Sequence, residues 1–72
     1  MPTIRVELFE GRTPVQKAAL AEELTAACVR VLGGKPGSVD ILFYDIAKGN
    51  WATGGQLWSE MPPPPPPGTQ QT

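Results

Sequence analysis

The chain has 72 residues, a formal net charge of -1 from six basic and seven acidic side chains, no histidine and a single cysteine. These counts exclude an internal disulfide, a histidine- or cysteine-rich metal centre, a strongly basic nucleic-acid surface and acid–base chemistry by imidazole. The length allows one domain, and about sixty residues of core material without staples are marginal unless a partner helps to bury them.

The amino terminus lacks the charged and apolar regions of a secretion signal, and no stretch approaches the roughly 20 apolar residues that span a bilayer. The expectation is a soluble, cytoplasmic protein that binds neither nucleic acid nor membrane. Arg5, Arg12, Lys17, Arg30, Lys35 and Lys48 are dispersed in sequence.

From Thr3 to Phe9 the chain alternates, with Ile4, Val6 and Leu8 on one side and Thr3, Arg5, Glu7 and Phe9 on the other. This is the period of a half-buried strand. Glu10-Gly11-Arg12 makes a short loop. Thr13-Pro14-Val15-Gln16 then reads as a helix start: Thr13 can cap, Pro14 has no amide to waste, and Gln16 can complete a capping box. Leu20, Leu24, Ala27, Cys28 and Val31 recur at helical spacing, so a helix is expected from Pro14 to Leu32, ended by Gly33-Gly34. Cys28, on its apolar face, reads as a small packed hydrophobe.

Lys35 to Ser38 is a turn, and Val39 to Ile46 reads as a second strand. Val39, Ile41 and Phe43 share one face; Asp40, Leu42 and Tyr44 share the other, where the last two imply a covered surface. A helix between two strands leaves room for a right-handed crossover and parallel pairing. The expected fold is therefore α/β, a beta-alpha-beta subunit whose small sheet is completed by dimerisation. Ala47 to Trp58 is glycine-rich, carries both tryptophans and suggests a turn and hairpin, with Trp58 an interface anchor. Residues 2–60 form the expected domain, and 61–72 a proline-rich flexible tail in which Pro62 to Pro67 favour polyproline II. That run also suits a polyproline-reading groove, so a tether or interaction module is a second functional reading.

No phosphate-cradling loop or serine nucleophile set is present. The chemically informative group is Pro2. Once Met1 is removed, it offers a secondary amine, and an α-amino group titrates near 8, well below a lysine. Burial or nearby cations disfavour its charged form further, giving a base able to take and return a proton near neutral pH.

Pro2 opening a strand, Glu10 to Lys17, the helix, the second strand and Lys48-Gly49-Asn50-Trp51-Ala52-Thr53-Gly54-Gly55 together resemble the 4-oxalocrotonate tautomerase family, also called 2-hydroxymuconate tautomerase. The resemblance implies dimers with joined sheets, three of them in a hexamer, and an isomerase of aromatic-compound breakdown that interconverts enol and keto acids without cofactor or metal. It makes Pro2 the catalytic base, Arg12 the group that binds a substrate carboxylate and draws electron density, and Trp51 part of an apolar wall. Asp40 stands where the prototype has a second arginine from a neighbouring subunit. Three readings follow: the substrate carries one carboxylate, another cation such as Arg5 substitutes, or a homologous partner in a heterohexamer brings the arginine, which would leave this chain a non-catalytic subunit with a structural Pro2. Related haloacrylate dehalogenases and hydratases activate water with a carboxylate near Trp51. Thr53 stands there and is no general base, so proton transfer ranks above hydration.

Overall fold

The computed structural model describes residues 2–62; the expectations placed on Met1 and on residues 63–72, most of the proline run included, lie outside it. The chain runs through strand β1 (Thr3–Phe9), helix α1 (Pro14–Leu32), strand β2 (Asp40–Ile46) and a hairpin of β3 (Ala52–Thr53) and β4 (Gln56–Leu57). Short 3-10 turns at Pro36–Ser38, Lys48–Asn50 and Trp58–Glu60 join or follow them.

Helix α1 begins where its local chemistry dictates. The Gln16 amide donates to Thr13 Oγ1 at 3.1 Å, and the Thr13 amide donates to Gln16 Oε1 at 2.9 Å, so two otherwise orphaned donors satisfy each other. Pro14 fills the first helical position. Gly33, at φ 83°, ends the helix in a conformation that side chains resist, and its amide returns to the Val29 carbonyl at 2.9 Å.

The helix connects β1 to β2, and the two strands pair in parallel from Thr3 opposite Asp40 to Phe9 opposite Ile46. Parallel strands need such a crossover, so the beta-alpha-beta unit follows from the order of elements. One bond extends the ladder at each end: the Asp40 amide donates to the Pro2 carbonyl at 3.0 Å, and the Glu10 amide to the Ile46 carbonyl at 3.1 Å. Strand β2 starts at Asp40, one residue later than expected. The Val39 amide is already used by the Pro36 carbonyl in closing the 3-10 turn.

Ile4, Val6 and Leu8 of β1 and Ile41 and Phe43 of β2 are half-buried on the helix side. Asp45 belongs to the same face and meets Lys17 of α1 in an ion pair that ties the helix to the strand. On the other face Leu42 is 43 % and Tyr44 41 % exposed, with the Arg5 guanidinium 5.2 Å from the Tyr44 ring. No side chain among the described residues is buried as a protein interior would be, and Val15, Val31 and Leu32 are also open to solvent. Cys28 is half-buried rather than enclosed. Such exposure suits a subunit and not a self-sufficient monomer. No helix among the described residues is long and apolar enough to cross a membrane.

Candidate active site

Pro2 sits half-exposed at the free start of the sheet. Its carbonyl is held by the Asp40 amide, so the first turn of the ladder fixes the residue while leaving its ring nitrogen outside the hydrogen-bond pattern. Asp40, opposite Thr3, is exposed at the same end of the sheet. Its side chain belongs to the face of Leu42 and Tyr44, whereas Pro2 continues the alternation of Ile4 and Val6.

Arg12 and Trp51 belong to the other end. Seven residues of β1, about 23 Å of extended chain, separate Pro2 from the loop that carries Arg12. Arg12 is exposed at the rim of a groove of about 200 Å³ between the first half of α1 and the sheet. Val6, Leu8, Leu20 and Phe43 make its apolar floor, and Gln16 and Lys17 share the rim with Arg12. Gln16 is committed to the helix cap and Lys17 to Asp45. Among the described residues Arg12 forms no salt bridge.

Trp51 lies across the sheet from that groove, on the face of Phe9. Its ring centroid is 4.5 Å from that of Phe9, tilted by 50°, and Trp58 approaches Phe9 from another side at 5.1 Å and 59°. The hairpin makes this cluster. Gly54 and Gly55, at φ 63° and 84°, supply the tight reversal between β3 and β4. The Trp58 amide then donates to the Trp51 carbonyl at 2.9 Å, and its indole Nε1 donates to Thr53 Oγ1 at 2.9 Å. Lys48 Nζ stands 5.8 Å from the Phe9 ring centre.

Within one chain, therefore, Pro2 and Asp40 share one end of the sheet, and Arg12 and Trp51 lie at the other end on different faces. Three features here were not singled out in the sequence. Phe9 is the centre of the aromatic cluster, Lys48 caps it, and Asp45 is the partner of Lys17. Phe9 carried a signal, since it is the one large apolar residue on the otherwise polar side of β1; the Lys17–Asp45 pairing carried none. Among the described residues no group of three histidine, cysteine, aspartate or glutamate side chains could hold a metal ion.

Comparison with known proteins adds what geometry alone does not. The family model described as tautomerase enzyme matches residues 2–61. A probable tautomerase of Streptococcus pneumoniae is 42 % identical over 57 residues, covering 79 % of this chain and 95 % of that protein. The 2-hydroxymuconate tautomerase of Comamonas testosteroni is 34 % identical over 61 residues, 85 % of this chain and 97 % of that protein. Among solved structures, a heterohexameric 4-oxalocrotonate tautomerase from Chloroflexus aurantiacus superposes with a TM-score of 0.80 at 29 % identity, covering 86 % of this chain and all of that one. The agreement extends from the first strand through the hairpin, and the chain belongs to the tautomerase family of 4-oxalocrotonate tautomerase type, enzymes that interconvert enol and keto forms.

Proposed function

We propose that this tautomerase works without a cofactor, through the ring nitrogen of Pro2 after loss of Met1. The nitrogen takes the hydroxyl proton of an unsaturated 2-hydroxy acid, the enol oxygen becomes the ketone, and the double-bond electrons move outward. The proton is then returned from the amine to the distal carbon, so one group serves as base and acid. Arg12 binds the substrate carboxylate with its planar fork, and Trp51 with Phe9 gives an apolar wall that penalises a charged amine.

The observation that carries this reading is the position of Pro2: directly before β1, carbonyl bonded by the Asp40 amide, ring nitrogen left out of the ladder. The length of β1 adds a second element. β1 alone runs about 23 Å from Pro2 to the loop of Arg12, longer than a small acid, which supports a working site that takes Pro2 from one subunit and Arg12 from another. The exposed Leu42, Tyr44 and Trp58 are the surfaces such an assembly buries. We take it to be a homohexamer in the cytoplasm, serving breakdown of aromatic compounds.

Asp40 sets the substrate class. Contributed from a neighbouring subunit, as the second arginine of the prototype is, its carboxylate repels a second carboxylate on the substrate, which favours a monocarboxylate enol such as phenylenolpyruvate over the dicarboxylate 2-hydroxymuconate. Arg5 is directed toward the Tyr44 ring, which favours this reading over compensation by Arg5. Thr53 accepts from the Trp58 indole within the hairpin, which gives hydration no support. The test is ketonisation of both enols by protein confirmed by mass to lack Met1. Faster turnover of phenylenolpyruvate is expected; no turnover of either by the Met1-free protein overturns the reading.

A further inference from the structure

The groove beside α1 carries two cations, Arg12 and Lys17, and the second of them is bonded to a carboxylate, Asp45, from strand β2. Lys17 Nζ bonds to Asp45 Oδ2, while Arg12 has no acidic partner among the described residues. Asp45 stands opposite Leu8 in the strand register, and Leu8 lines the same groove. The bond from the Glu10 amide to the Ile46 carbonyl ties the start of the Arg12 loop to the residue after Asp45. Arg12 is the other cation that lines this groove, so a carboxylate in that place, deprived of Lys17, has its guanidinium as the alternative charged partner.

We propose that Lys17 is a positioning residue for substrate recognition: by occupying Asp45, it keeps the Arg12 guanidinium free for the substrate carboxylate. Magnitude favours this role over a purely structural one. Lys17 is 27 % and Asp45 42 % exposed, and an ion pair so open to water adds little to stability. The same pair alters binding in a second way, because a neutralised Lys17 leaves the groove one free positive charge and not two. One free cation suits one carboxylate, the same preference that Asp40 imposes at the other end of the sheet. The inference rests on the proposed role of Arg12, so the experiment must separate the two.

Steady-state kinetics on the Met1-free protein would compare wild type with Arg12→Ala, Lys17→Met, Asp45→Asn and the double variant Lys17→Met/Asp45→Asn, using phenylenolpyruvate and 2-hydroxymuconate. Lys17→Met should raise KM for phenylenolpyruvate about fivefold with a small change in kcat, because the released Asp45 turns to Arg12. Adding Asp45→Asn should bring KM back to within about twofold of wild type, a rescue that a merely structural tie between helix and strand would not give. Asp45→Asn alone frees Lys17 and should lower KM for the dicarboxylate relative to the monocarboxylate. This arm remains readable even where Lys17→Met fails to fold. If Arg12→Ala raises KM while Lys17→Met does not, or the double variant is no better than Lys17→Met, or Asp45→Asn leaves the substrate ratio unchanged, the positioning role is overturned and the site reading stands. If Arg12→Ala leaves KM unchanged, the site reading itself falls and takes the positioning role with it.

Discussion

A secondary amine at the start of a strand becomes a useful base only if it is unprotonated where the enzyme works. Pro2→Ala keeps an amine but makes it primary and releases the fixed ring, and kcat/KM is expected to fall by about 100-fold, the lower end of what a positioned base contributes. Protein retaining Met1 should be inactive, since the Pro2 nitrogen is then an amide. For wild type the rate should fall as pH drops through the amine pKa, because the protonated amine cannot accept the enol proton, and an apolar wall moves that limb downward from an ordinary α-amino group. A rate independent of acidification through this range would remove the amine from the mechanism. Asp40→Arg replaces repulsion by attraction and should increase the ratio of dicarboxylate to monocarboxylate kcat/KM by about tenfold. An unchanged ratio in paired assays would place Asp40 outside the site.

At the level of elements, the signals that lie close together in sequence were legible. Thr13, Pro14 and Gln16 mark the helix start because capping chemistry is settled within four residues, and Gly33 marks its end for the same reason. Thr13→Ala should cost about 1 kcal/mol, read as a lower urea midpoint at fixed protein concentration, with kcat little changed. Gly54-Gly55 likewise announced a reversal, and φ above zero at both is what the hairpin uses. Strand β2 began one residue late because a 3-10 bond took the Val39 amide, a competition that alternation of apolar residues does not register. The Lys17–Asp45 pair, 28 residues apart, and the aromatic contacts of Phe9 depend on where the helix and hairpin come to rest. Neither is encoded in a local pattern.

For the whole molecule, the absence of any interior-like side chain among the described residues is the decisive feature. Leu42 and Tyr44 on the sheet face away from the helix imply a covered surface, and among the described residues nothing covers them. With somewhat under half of each side chain still open, covering Leu42 fully would add roughly 1 kcal/mol, and several such contacts per subunit would make association favourable. Native mass spectrometry should therefore find a hexamer at micromolar protein, and Leu42→Asp should shift it to smaller species with parallel loss of activity. The sequence singled out Pro2, Arg12, Asp40 and Trp51, but their division between two ends of β1 was not legible in it. Sequence spacing says nothing about which copy of a residue faces which.

That division gives the sharpest test. Pro2→Ala and Arg12→Ala proteins, each nearly inactive alone, would be unfolded together, reassembled in equal amounts and assayed. A site shared between subunits predicts recovery, with about a quarter of sites receiving an intact Pro2 from one chain and an intact Arg12 from another. Activity no greater than the average of the two separately refolded variants, in a preparation shown by mass to contain mixed hexamers, would contradict it.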